Sequence, residues 1–128
     1  MKINKIVILV YRLTGGGAER VASLWASGFA ERNYDVTVIT FSGWKENISY
    51  KMAPSVKVVT IDFPITNRII RAISNRLGIM NLYLKSQLSK VLHEIKPELC
   101  IGVLGDYALQ AYKCTRDFNC KIINTEHN

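Results

Sequence analysis

Lys5-Ile-Val-Ile-Leu-Val-Tyr11, closely followed by Gly15-Gly16-Gly17 and then Ala18-Glu19-Arg20-Val21, decides the fold. A continuous apolar, β-branched run, instead of an alternating one, marks a strand covered on both faces. The three glycines predict a tight loop, and from Ala18 to Arg32 the pattern turns helical. Val21, Leu24, Trp25 and Phe29 fall at i, i+3, i+4 and i+8, a stripe expected to face a sheet, while Glu19, Arg20, Glu31 and Arg32 fall elsewhere. Asn33 suits a helix stop because Asn tolerates the left-handed conformation. Asp35 to Phe41 (DVTVITF) is the second strand. Strand, loop, helix and strand make one βαβ unit.

Outward from this unit the alternation continues. Ser42 to Met52 is polar and reads as a loop, Val56 to Ile61 as a third strand with one solvent-facing lysine, and Pro64 closes it. Ile65 to Leu77 and Ile79 to Ile95 read as helices divided near Gly78; Leu84, Leu88, Val91 and Ile95 form the apolar stripe of the second, and Pro97 stops it. Leu99 to Leu104, Tyr107 to Arg116 and Cys120 to Thr125 complete the pattern as strand, helix and strand. Strands alternating with helices imply a doubly wound, Rossmann-like α/β fold with a parallel sheet. Ligands of such sheets bind outside the carboxyl ends of the strands, where strand order reverses. Function is therefore expected in the loops at Arg12 to Gly17, Gly105 to Tyr107 and Glu126 to Asn128.

The 128 residues suit one domain, 1–128, and 48% hydrophobic residues exclude a disordered chain. The longest clean apolar run, Ile6 to Tyr11, is far below the roughly 18 residues that cross a bilayer. It is also too short for a secretory signal, and no small-residue cleavage site follows, so a cytoplasmic protein is expected. Cys100, Cys114 and Cys120 are odd in number, with no CxxC and no nearby histidine pair, which argues against a disulfide framework or a metal site. Cys100, in an apolar stretch, reads as a small buried hydrophobe.

Three glycines between a buried strand and a helix allow close backbone approach, and a helix start carries partial positive charge. Gly15, Gly16 and Gly17 are therefore a candidate anion site, with phosphate the typical occupant. Two better-known phosphate motifs fail on the residues. Counting G-x-G-x-x-G from Gly15 puts Arg20 where the last glycine belongs, and Thr40-Phe41-Ser42 lacks the acid that holds a ribose, which disfavours NAD. Gly17 is followed by Ala18-Glu19 and not by Lys-Ser/Thr, which disfavours ATP hydrolysis. No cofactor is expected.

Gly15-Gly-Gly-Ala-Glu-Arg-Val21 after a first strand, followed by Asp35 to Thr40, resembles the start of the retaining GT-B glycosyltransferases of the glycosyl-transferase-four-like group. Thr125-Glu126-His127-Asn128 resembles that group's "EHN" segment, whose histidine lies in the interlobe cleft. The resemblance implies an N-terminal, acceptor-side lobe, truncated before the rest of a two-lobe enzyme and expected to be inactive in isolation. The whole enzyme would transfer a sugar from a nucleotide-diphosphate donor to a hydroxyl of a glycan or lipid-linked acceptor with retention, in cell-surface glycan or glycolipid synthesis. By the same resemblance Gly16 and Gly17 would stabilise the leaving diphosphate, and His127 would be the catalytic-site histidine orienting donor or acceptor. Asp106, at the end of the fourth strand, is a candidate acceptor contact and equally a helix N-cap. Tyr107 beside it is a candidate cleft contact, and Arg20, a cation at a helix start, suits an anion. His93, in a last helical turn, reads as structural.

The net charge of +7 is local: residues 63–93 hold Arg68, Arg71, Arg76, Lys85 and Lys90 and no Asp or Glu. Arg68, Arg71 and Arg76 lie among Ile65, Ile69, Ile70, Ile73 and Leu77, the composition of an interfacial helix on an anionic membrane surface, or of a core-packed helix with a basic face. An alternative function is a non-catalytic Rossmann-like module binding nucleotide or nucleic acid. No aromatic residue interleaves with these arginines, which argues against nucleic acid.

Overall fold

A computed structural model describes residues 2–11, 16–41, 51–61 and 67–125, with the side chains of Arg71, Asn75, Ile79 and Met80 outside the description. The elements run β1 (Lys5–Leu9), α1 (Gly17–Glu31), β2 (Asp35–Thr40), β3 (Lys57–Thr60), α2 (Arg68–Arg76), α3 (Ile79–Ile95), β4 (Leu99–Val103), α4 (Tyr107–Cys114) and β5 (Lys121–Thr125). The strands make one sheet in the order β3-β2-β1-β4-β5, parallel throughout. This is the expected α/β, Rossmann-like architecture, and the order reverses between β1 and β4.

The apolar run of β1 is explained by its central place. Ile6 is paired with Val36 on one side and Leu99 on the other, and successive residues feed opposite faces. Ile6, Ile8 and Val10 join Val36, Val38, Ile101 and Val103 beneath Ala22, Ala26 and Ala30 of α1. Val7 and Leu9 join Ile39, Ile61 and Cys100 beneath Leu88 and Leu92 of α3 and Ala111 and Cys114 of α4. Each fully buried Ile, Leu or Val contributes about 1.5–3 kcal/mol, so the two layers are the main source of stability.

The sheet-facing stripe of α1 differs from the expected one. It is Ala22, Ala26 and Ala30, at i, i+4 and i+8, whereas Leu24 is 61% exposed and Trp25 and Phe29 are only partly buried at the flank. Small side chains let the helix lie close on a pleated surface, and the larger ones pack around its edge.

Helix boundaries follow the predicted stops. Asn33 adopts φ 69°, Gly78 separates α2 from α3 at φ 72°, and α3 ends at left-handed Lys96, just before Pro97. The expected loop over 42–50, the Pro64 stop and the helical start at 65–66 lie outside the described residues. Among the described residues β3 and β5 are the sheet edges, and Ile123 of β5 is 45% exposed.

The α2 helix is turned outward. Among its described side chains the buried one is Ser74, while Ile69 is 72%, Ile70 49% and Ile73 53% exposed. Leu77 after it and Leu82 on α3 are each 68% exposed, and Arg68 and Arg76 lie on the surface beside them. No helix among the described residues is long and apolar enough to cross a membrane.

Candidate functional site

The site lies at the carboxyl edge of the sheet, where β1 and β4 diverge. At the β1 side, Gly16 occupies the N-cap of α1 with φ 83° and ψ 158°, and its carbonyl accepts the Arg20 N–H at 3.3 Å. That backbone conformation suits glycine, and a Cβ there would run into the Glu19 carboxylate. Gly17 begins the helix in open space, with nothing within 4 Å of a Cβ. Arg20 is exposed in the first turn of α1. Gly15, the remaining glycine of the expected anion site, lies outside the described residues, as does His127.

At the β4 side the chain makes an unusual exit. Leu104 and Gly105 are both left-handed, at φ 62° and 71°, a conformation costly for a leucine. The Leu104 N–H donates to the Thr125 carbonyl at 3.1 Å, and the Thr125 hydroxyl donates to the Gly102 carbonyl at 3.2 Å. These bonds tie the last residue of β5 to the end of β4, immediately before Glu126.

Asp106 stands at the N-cap position of α4 but makes no side-chain capping bond. Its carboxylate oxygens instead accept from Gln110 Nε2, each at 3.2 Å. The capping role read from the sequence is thus corrected: at φ −103° and ψ 20° the residue is not in the extended conformation typical of a capping side chain. The carboxylate remains on the exposed edge.

Tyr107 is half-buried, and its ring stacks on Phe41 with centroids 4.7 Å apart and planes within 6°. Burial, then the nearby Tyr11 hydroxyl and Asp106 carboxylate, push its phenol up to about 12, so it is a neutral hydrogen-bonding group at physiological pH. The Phe41 N–H donates to the Tyr11 carbonyl at 2.9 Å. Tyr11, 53% exposed, Phe41 and Tyr107 therefore bring aromatic residues from just past β1, just past β2 and the start of α4 to one edge. Sequence reasoning did not single out Tyr11 or Phe41 as site residues. The available signal was their place, each just past a buried strand on the ligand side.

Gly102, inside β4, was likewise missed. A Cβ there would come within 2.6 Å of the Ala108 nitrogen, so the glycine lets α4 begin directly against the sheet. An isolated glycine in an apolar strand is the signal for such an approach.

The remaining histidine is structural in its contacts. His93 Nδ1 is 2.7 Å from the Ser89 carbonyl, and Nε2 is 2.9 Å from the Asp117 carboxylate. The first contact chiefly, and then Asp117, hold its pKa above the ordinary value. Among the described residues, no group of three or more His, Cys, Asp or Glu is arranged to hold a metal ion.

No family model matches the chain, and no curated protein matches it. Among solved structures it is similar to the C-terminal domain of a hydrogenase from Pyrococcus furiosus, with a TM-score of 0.62 and 17% identity over 95% of this chain and 91% of that one. A second crystal structure of that C-terminal domain gives 0.55 and 18% over 98% and 94%. At this identity the likeness establishes the α/β fold alone.

Proposed function

We propose that this chain is the acceptor-side, N-terminal lobe of a retaining glycosyltransferase that uses a nucleotide-diphosphate-sugar donor and a glycan or lipid-linked acceptor. The observation that carries the reading is that α1, which opens at Gly17 within the first segment of resemblance, and β5, which ends at Thr125, the first residue of the second, both meet the carboxyl edge of one parallel sheet. The glycine conformation at Gly16 supports an anion at the start of α1, where aligned backbone dipoles favour developing negative charge. Asp106 and the neutral Tyr107 phenol supply an acceptor and a donor for sugar hydroxyls, with Arg20 as a further cation in the first turn of α1. His127 orients donor or acceptor, and a second lobe completes the cleft.

The test is to express the whole reading frame that contains this chain and assay transfer of labelled sugar from a panel of nucleotide-diphosphate sugars. The expected outcome is transfer with retention that is lost in Gly16→Val and His127→Ala proteins whose circular dichroism is unchanged. A folded product without transfer, or one in which both variants keep full activity, overturns the assignment.

We further infer that the protein works at an anionic membrane surface, on its inner, cytoplasmic face. The exposed Ile69, Ile70, Ile73, Leu77 and Leu82 supply apolar groups for the interface, and the acid-free run of cations across 63–93 complements anionic headgroups. That charge also disfavours a second copy as the occupant, since two such surfaces repel.

A further inference from the structure

Two of the three cysteines meet at the opposite end of β4. Cys100, in that strand, is fully buried, and Cys120, just before the edge strand β5, is half-buried. Their sulfurs are 3.5 Å apart, although the residues are separated by all of α4. Cys120 also lines a cavity of about 360 Å³ together with Tyr112, Thr115, Arg116, Phe118 and Asn119. One thiol of the pair can therefore be reached from solution, and the other only through the first. Cys114, the third, is buried with its sulfur directed at the Lys85 carbonyl, 3.9 Å away.

We propose that Cys120 and Cys100 form a thiol–disulfide exchange site, in which Cys120 takes up a low-molecular-weight disulfide such as glutathione disulfide through this cavity and Cys100 resolves the adduct. In the first step the Cys120 thiolate attacks one sulfur of the reagent; the new S–S bond forms as the old one breaks, and one glutathione leaves as thiolate. In the second, Cys100 attacks the Cys120 sulfur; the protein S–S bond forms as the Cys120–glutathione bond breaks, and the proton that Cys100 gives up passes to the departing glutathione thiolate. The net change oxidises two protein thiols to one disulfide and reduces one glutathione disulfide to two glutathiones.

The pair has the asymmetry that exchange requires. Attack needs a thiolate that is accessible, and the leaving group departs most easily from an accessible sulfur. The Cys100 contact holds the Cys120 thiol below its ordinary range, against the opposing effects of burial and the Glu98 charge. The same contact, then burial, push the Cys100 thiol up, so it reacts only when the adduct is presented to it. A disulfide needs the sulfurs at about 2.05 Å, an approach of about 1.5 Å from the observed contact. Cys120 lies one residue outside the β5 ladder, so the approach does not require a ladder residue to move on that side.

The reduced full chain is incubated with glutathione disulfide, and its thiols are then counted and peptide-mapped after denaturation. Free thiols are expected to fall from three to one, with Cys100 linked to Cys120 and the link reversed by dithiothreitol. The Cys120→Ser protein loses no thiol over the same time, the Cys114→Ser protein still forms the link, and Cys100→Ala stops at a glutathionyl adduct on Cys120. Because Cys100 is buried, the wild-type map decides the matter even if that last variant misfolds. A lasting adduct on wild-type Cys120, a link through Cys114, or no loss of thiols overturns the proposal.

Discussion

Phe41 and Tyr107 stack face to face at 4.7 Å, joining the end of β2 to the start of α4 across the carboxyl end of β1. The contact spans the point where strand order reverses, so it ties the start of α4 to the end of β2. Stacked aromatic pairs contribute about 0.5–1.5 kcal/mol beyond the area they bury. A double-mutant cycle with Phe41→Leu and Tyr107→Leu, read by urea denaturation, is expected to give a coupling of about that size. Additive single effects would mean that the rings touch without stabilising each other.

The glycines of the site separate into those that space demands and those it does not. Gly102→Ala forces a methyl group against the Ala108 backbone and is expected to cost about 1–3 kcal/mol, lowering the denaturation midpoint. Gly17→Ala meets open space in a helix and should be neutral or stabilising by up to about 1 kcal/mol. Equal effects at the two positions would contradict the close approach of α4 to β4.

The His93–Asp117 pair links α3 to the turn after α4 and gives stability a pH dependence. The folded pKa of His93 is raised from 6.5, so its contribution is fully present below that value and is lost as pH rises through the raised one. The folded pKa of Asp117 is lowered from 3.8, chiefly by the hydrogen bond from His93, so its contribution is present above that value and is lost as pH falls through the lowered one. Both contributions are therefore present between 3.8 and 6.5. Relative to His93→Gln, the wild-type protein is expected to gain more stability at about pH 5.5 than at an alkaline pH above the raised value, where the imidazole has lost its proton. An equal difference at both values would remove the ion pair as the cause.

The outward face of α2 predicts lipid selectivity. Sedimentation with vesicles rich in anionic lipid should pull the protein down, and neutral vesicles should not. Changing Arg68, Arg71 and Arg76 to Ser removes three cations, each worth about 1 kcal/mol near an anionic surface, and should weaken binding about a hundredfold. Ile69→Ser with Ile73→Ser should weaken it without altering the fold, because both side chains face outward. Equal binding to neutral vesicles would remove the electrostatic half of the reading.

The fold was legible where burial imposes a period. The unbroken run at Lys5 to Tyr11 could only be an inner strand, and the division at Gly78 follows from a left-handed residue between helices. Sequence could not show that Ala22, Ala26 and Ala30 would face the sheet, because hydrophobicity ranks Leu24 above alanine, whereas close packing selects the smaller side chain. Glu98 was invisible for another reason. Its carboxylate accepts the N–H groups of Asn4 and Lys5, at 2.8 and 2.9 Å, a bond across more than ninety residues that no local pattern encodes. The candidate site was located by topology, and its glycines by motif. Of its aromatic members Tyr107 was named and Tyr11 and Phe41 were not, since those two read locally as the ends of strands. The cysteine pair was hidden similarly, as the fold and not the spacing brings residues 100 and 120 together.

The edge position of β5 has a consequence for how the sheet can grow. Among the described residues no strand pairs with its outer side, which offers a row of peptide groups to a neighbouring extended segment, and half-exposed Ile123 gives that segment an apolar foothold. A further parallel strand docking there would bury Ile123 and extend the sheet beyond β5, converting the border into an interior seam. Left uncovered, the same border is a template for pairing between molecules, so a companion strand would protect solubility as well as add structure.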